Sequence, residues 1–200
     1  MQSNCASVII LTGGSSTRFG SDKSQAKIGG VSLIERILTS IPSEFETIIV
    51  GPDPKILGAH YRTVHENPIG GGPLAGFKAG LEICASEIVV LIATDMPFAL
   101  SRTLHLMESM KPHDDAVVYV DADGIKQSLA AIYRVEAVEH ALSLIENAHG
   151  QSMQTMLSYL QIRKIEMSKE VAQALRDIDT TEDLECAVAL SLHMKDGLKL

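Results

Sequence analysis

Tryptophan is absent from this chain, and phenylalanine and tyrosine together make up only 4% of it. A protein that stacks the successive bases of a single strand needs aromatic platforms, and this composition argues against one. Positive charge is also scarce: 17 Lys and Arg stand against 25 Asp and Glu, a formal net charge of −8. The basic stripe that marks a general nucleic-acid surface is therefore missing. Cysteine occurs three times, at 5, 84 and 186, too few and too far apart for a disulfide framework or a C-x-x-C metal knuckle. A reducing, cytoplasmic setting fits that pattern. No apolar run approaches the roughly 20 residues that a membrane span requires, and MQSNCAS lacks the basic start of a signal peptide. No membrane and no targeting segment are expected. The seven histidines form no H-E-x-x-H pair, and no G-x-S-x-G elbow supports a serine nucleophile. Any nucleotide handled here is expected to be a small molecule.

What the chain does have is concentrated in residues 8–29, VIILTGGSSTRFGSDKSQAKIG. Val8 to Leu11 is a β-branched run of the kind buried on both faces of a parallel sheet. Gly13 and Gly14 follow at once, and without Cβ atoms they let backbone N–H groups approach an anion. Ser15, Ser16 and Thr17 add hydroxyls, and Arg18 and Lys23 add fixed positive charge in an acidic chain. The loop suits a polyphosphate. It is neither of two familiar glycine motifs: five residues separate Gly14 from Gly20, and Ser21 and Asp22 separate Gly20 from Lys23, which breaks the Walker A spacing. The adjacent glycines break the G-x-G-x-x-G fingerprint. A structural strand-to-helix turn with solvated charges is the plain alternative.

Beyond the loop, apolar spacing predicts a helix over 31–41 stopped by Pro42, a strand at 47–50 and a short strand at 61–65. Asn67-Pro68-Ile69-Gly70-Gly71-Gly72-Pro73 leads into a helical pattern at Leu74, Phe77, Leu81 and Cys84. A helix N-terminus there would offer free N–H groups to an anion, although a plain loop tip has the same composition. Ile88 to Ile92 is the clearest buried strand, and Asp95 follows at its carboxyl end, where open α/β sheets bind ligands. Asp95 could cap a turn before Pro97. Beside a phosphate loop, it reads better as a hard oxygen ligand for Mg²⁺. Further along, a helix capped by Ser101 is expected over 101–110, a strand at 116–120, an Asp/Gly turn at 121–124 and a strand at 129–133 returning antiparallel. Helices are expected at 135–145, 153–160 and 181–192, and an edge strand at 162–165. Alternating strands and helices imply an α/β fold around a mostly parallel sheet. Two hundred residues fit one domain, with a core over about 6–192 and a frayed tail at 193–200.

LTGGSSTRFGSDK resembles the L-A-G-G-x-S-x-R-M-G-x-D-K signature of the nucleotidyltransferases related to molybdenum-cofactor guanylyltransferase. GGPLAG at 71–76, ATDMPF at 93–98, QSLAAIYR at 127–134 and DIDTTEDL at 177–184 resemble that family's later blocks, in the same order. The resemblance implies a three-layer α/β/α, Rossmann-like nucleotide-diphospho-sugar-transferase-type fold with a small antiparallel extension. It implies Mg²⁺-dependent transfer of GMP from GTP to molybdopterin, with pyrophosphate released. Molybdoenzyme apoproteins or their chaperones would be further partners. Carried over by position, it sets Leu11, Thr12, Gly13 and Gly14 around the nucleotide and Arg18 and Lys23 on its phosphates as catalytic cations. Asp95 falls on Mg²⁺, joined by Asp179. Asn67, at a position often acidic in the family, would bind the nucleotide, Gly72, Pro73, Leu74 and Gly76 would line the base, and Gln127 and Asp177 would face the acceptor. Thr12 stands where the family has Ala, Lys27 where Pro is common and Ser128 where Pro follows the glutamine. An arginine often found near Gln151 is missing. The two last departures bear on the acceptor side. A CTP-dependent relative, a transferase with another phosphorylated acceptor, and a non-catalytic GTP-binding protein are the alternatives.

Overall fold

The computed structural model describes residues 6–12, 26–180 and 182–188. The glycine loop with Gly13, Gly14, Arg18 and Lys23, and the expected tail at 193–200, lie outside the described residues. Seven strands form the main sheet: β1 (Ser7–Leu11), β4 (Glu46–Val50), β5 (Arg62–Val64), β6 (Ile88–Ala93), β7 (Ala116–Val120), β8 (Lys126–Arg134) and β9 (Ile162–Glu166). Their spatial order is β5-β4-β1-β6-β8-β7-β9. β1 runs parallel to both β4 and β6, β4 to β5 and β7 to β9, whereas β8 is antiparallel to both its neighbours. The sheet is therefore a parallel Rossmann-like half joined through one reversed strand to an extension, as expected. A two-stranded ribbon, β2 (Lys27–Ile28) with β3 (Val31–Ser32), stands apart.

Alternation along the central strands explains the layers. Ile9 and Leu11 of β1 and Val89 and Leu91 of β6 point to one face, where Leu74, Phe77 and Leu81 of α2 (Gly72–Leu81) pack with α4 (Val135–Ser143) and α5 (Met153–Leu157). Val8, Ile10, Val90 and Ile92 point to the other, under α1 (Leu33–Ser40), α3 (Ala99–His105) and α6 (Lys169–Ala174). With both faces covered, continuous β-branched runs are what these strands require. The helices swap faces for a reason of handedness. The β1–α1–β4 crossover moves one way along the sheet and the β5–α2–β6 crossover moves the other, so right-handed crossovers put α1 and α2 on opposite sides. A third small cluster of Ile28, Leu33, Ile178 and Ala187 ties the ribbon to the helical residues 182–188.

Several element boundaries differ from expectation, and one helix, α6, was not expected. Val31 and Ser32 are strand; α1 starts at Leu33 because the Ser32 hydroxyl accepts the Glu35 N–H and caps it. The helix expected from Ser101 begins at Ala99, after turns in which Met96 N–H bonds Ala93 O and Ala99 N–H bonds Met96 O, and it tightens into a 3-10 turn at Leu106–Ser109. α4 and α5 end at Ser143 and Leu157, short of the expected residues 145 and 160. α6 gave no periodic signal because none of its residues is buried.

Candidate active site at the carboxyl edge of the sheet

β1, β4 and β6 all end on the same edge, and β1 and β6 are the adjacent strands whose onward connections diverge. This switch point is where an open α/β sheet forms its ligand crevice. Leu11 and Thr12 form its floor at the end of β1, immediately before the glycine loop. Thr12 N–H and Oγ1 both donate to Val50 O, at 3.0 and 2.9 Å. On the next strand, Thr94 N–H and Oγ1 both donate to Leu11 O, at 3.0 and 2.7 Å. Asp95 follows, half-buried.

The final block returns to this edge through the backbone. After α6, Ile178 N–H donates to Asp95 O at 2.9 Å, and Ile178 itself is buried. That one bond brings Asp177 and Asp179 beside Asp95. Asp177 keeps an exposed edge, yet desolvation of its carboxyl, then the charge of Asp179 and more weakly that of Asp95, push its pKa up. Thr180 caps the helical residues 182–188: its Oγ1 accepts from Asp183 N–H, while its own N–H and hydroxyl donate to Asp183 Oδ2 at 2.9 and 2.7 Å. Arg176 adds an ion pair to Asp183 at 2.7 Å. The Thr180 hydroxyl, ahead of Arg176, holds the Asp183 carboxyl down at about 2.

The other expected residues divide. In β8, Ala130 stands opposite Ile92 of β6, so Gln127 runs on past the carboxyl end of β6 toward the level of Asp95. Asn67 is exposed on the loop after β5, and Gly72 and Pro73 are exposed at the start of α2. Leu74 and Gly76 turn the other way. Leu74 is fully buried in the core and a Cβ on Gly76 would touch Leu11 and Val50 at 3.5 Å, so each can meet a nucleotide only through its backbone. Three features had no sequence signal. Thr94 ties β6 to β1, Glu66 accepts the Gly70 N–H at 3.0 Å, and the loop at 149–150 docks on the glycine turn through Gly150 N–H to Gly71 O at 2.8 Å. Among the described residues, no three His, Cys, Asp or Glu side chains stand where they could together hold a metal ion. No helix among them is long and apolar enough to cross a membrane.

Residues 8–165 match the family described as the MobA-like NTP transferase domain. The chain belongs to this family. It is a nucleotidyltransferase, and its carboxyl-edge crevice lies within the matched span except for the block at 177–183. A relative from Pelotomaculum thermopropionicum, named a probable molybdenum cofactor guanylyltransferase, is 28% identical over 96% of each chain. Another of that name from Bacillus anthracis is 30% identical over 84% of this chain and 86% of its own. Among solved structures, molybdopterin-guanine dinucleotide biosynthesis protein A from Archaeoglobus fulgidus superposes with a TM-score of 0.71 at 22% identity, covering 94% of this chain and 99% of that one. The 2-C-methyl-D-erythritol 4-phosphate cytidylyltransferase of Thermus thermophilus does so with 0.70 at 17%, covering 92% and 97%. These two establish the α/β nucleotidyltransferase fold.

Proposed function

We propose that this nucleotidyltransferase moves GMP from Mg-GTP to the terminal phosphate of molybdopterin, forming the guanine dinucleotide and releasing pyrophosphate. The observation that carries the reading is the gathering of Asp95, Asp177 and Asp179 at the switch point where β1 runs into the glycine loop. The names of the relatives supply the acceptor.

The donor set fits a hard divalent cation. Carboxylates are the side-chain ligands Mg²⁺ prefers, and it commonly takes only one or two of them, filling its other positions with phosphate oxygens and water. Desolvation raises Asp177 first, and the repulsion from Asp179 and Asp95 that adds to it is what a cation would relieve. Asp95 and Asp179 would hold the ion, which supplies charge neutralisation on the triphosphate. Arg18 and Lys23 would bind the phosphates, and Gln127 and Asp177 would orient the acceptor. A phosphate monoester, with a second pKa near 6, is already largely a dianion at neutral pH. Its oxygen can attack the α-phosphorus directly as the bond to the bridging oxygen breaks, so no general base is required. Alignment of the two phosphates does most of the work.

Pyrophosphate release from GTP, CTP and ATP, each with and without molybdopterin and Mg²⁺, tests the reading. Release from GTP that requires both is expected. Release from CTP in preference would favour the cytidylyl alternative, for which the likeness to a cytidylyltransferase fold speaks. Release from none would leave a nucleotide-binding protein.

A further inference from the structure

We propose that Thr94, acting with Thr12, is a positioning residue that sets where Asp95 and the end of β1 stand relative to each other. The residues that leave the sheet at its carboxyl edge are joined sideways in one row: Thr94 onto Leu11 O, Thr12 onto Val50 O, and Gly51 N–H onto Val64 O at 2.8 Å. The N–H bonds continue the parallel ladder by one rung. The two hydroxyls are additional. Each doubles the donation onto a carbonyl that already has its backbone partner, at the last residue before the chain turns into a functional loop.

Space around the row shows that the hydroxyl positions are specified. Gly51 has φ +129°, and a Cβ built there would lie 2.0 Å from Thr12 Oγ1. Thr12 can hold its hydroxyl on Val50 O only because residue 51 is glycine. Thr94 is 6% exposed, so its hydroxyl is largely shielded from water and keeps its bond to Leu11 O. The row then continues into the acidic block, because Ile178 N–H rests on the carbonyl of Asp95, the residue after Thr94. Movement of Thr94 would be passed to Asp95, and through Ile178 to Asp177 and Asp179. Neither hydroxyl needs to touch substrate for this. A displacement of about 1 Å in a reacting group can cost 10²-fold in rate.

The consequence for turnover rests on the proposed reaction, so the test has one readout that does not. Thr94→Val keeps the β-branched shape and removes the hydroxyl, and Thr94→Ser keeps the hydroxyl. By amide hydrogen exchange, Thr94→Val should speed exchange of Ile178 about tenfold while the amides at 90–92 hold. In the nucleotidyl assay it should lower kcat about tenfold with the nucleotide KM nearly constant, and Thr94→Ser should restore both. Unchanged exchange at Ile178, a kcat loss that merely follows a fall in Tm, or a serine variant no better than valine would each overturn the proposal. If the wild type turns over no nucleotide, the reaction reading fails, and exchange at Ile178 alone decides the positioning role.

Discussion

At the residue scale, the acidic cluster sets stability against function. The pKa of Asp177 is raised, first by desolvation and then by Asp179 and Asp95, so the folded protein binds a proton there more tightly than the unfolded chain. The carboxyl therefore costs stability as pH rises through its folded value, and the cost is complete above it. Asp177→Asn should raise Tm at pH 7 in metal-free buffer and lose that advantage as pH falls to about 3, below the ordinary Asp value near 3.9; scanning calorimetry across that range checks the sign. A variant less stable at pH 7 would mean that the carboxylate has a favourable partner. Asp95→Asn should raise the Mg²⁺ concentration for half-maximal rate by at least about tenfold, the scale seen when even an outer partner of a metal is lost. The substitution leaves the bond from Ile178 N–H to the Asp95 carbonyl in place, and Tm measured alongside separates loss of metal response from loss of the fold. Unfolding of the variant would make Asp95 a structural cap. Asp95 was legible from its place after a buried strand. Asp177 and Asp179 were legible only through resemblance, because the bond that returns them spans 83 positions and leaves no local pattern.

At the element scale, α2 shows how closely one helix can be held to a sheet. Gly80 faces β1 and β4, and a Cβ there would meet Ile9 at 2.9 Å and Val50 at 3.1 Å; at Gly76 the same atom would find ordinary contacts at 3.5 Å. Gly80→Ala should cost about 1–3 kcal/mol from overpacking, more than the roughly 1 kcal/mol of helix propensity that alanine returns. Gly76→Ala should be neutral or stabilising, and urea unfolding of the pair checks the contrast. Away from the site, Glu46 braces the amino ends of the strands: it accepts from Ser7 at 2.8 Å, Arg62 at 2.9 Å and Ala85 N–H at 3.3 Å. Burial opposes its charge, but these donors outweigh it and hold the carboxyl below the usual range. Its contribution is thus fully present above the unfolded value near 4.3 and is lost as pH falls through the folded one. Glu46→Gln should lower stability by about 1–2 kcal/mol at pH 7, with the gap from wild type closing below about pH 4 in urea titrations. The strands β1, β4 and β6 were readable because burial on both faces demands unbroken β-branched runs. The ribbon of β2 and β3 was not, since two residues carry no period, and α6 turns only the half-buried Val171 and Ala174 to the core, too little to announce a helix.

At the scale of the whole molecule, alternation of strands and helices implied a parallel sheet but could not order it. Insertion of β8 between β6 and β7 is a non-local pairing, and it is what carries Gln127 toward the level of Asp95 instead of to a distant edge. The same topology frames base choice. Thr12 at the end of β1 and the glycine turn that enters α2 over β1 and β4 lie at the same carboxyl edge of the sheet. Few charged side chains line the turn: Gly72 and Pro73 are exposed, Leu74 faces the core, and Glu66 is engaged with Gly70 N–H. The base would then be read by main-chain groups from Leu11 to Gly13 and from Gly72 to Gly76. Guanine offers donors at N1 and N2 and an acceptor at O6, a set that backbone C=O and N–H groups can meet together. Cytosine and adenine would leave some of those groups buried and unpaired, at about 1–3 kcal/mol each. GTP should therefore bind at least about tenfold more tightly than CTP or ATP, since 1.4 kcal/mol is a factor of ten. Isothermal titration of the three nucleotides in Mg²⁺ measures this. CTP binding as tightly as GTP would remove the guanylyl assignment and keep the nucleotidyltransferase one.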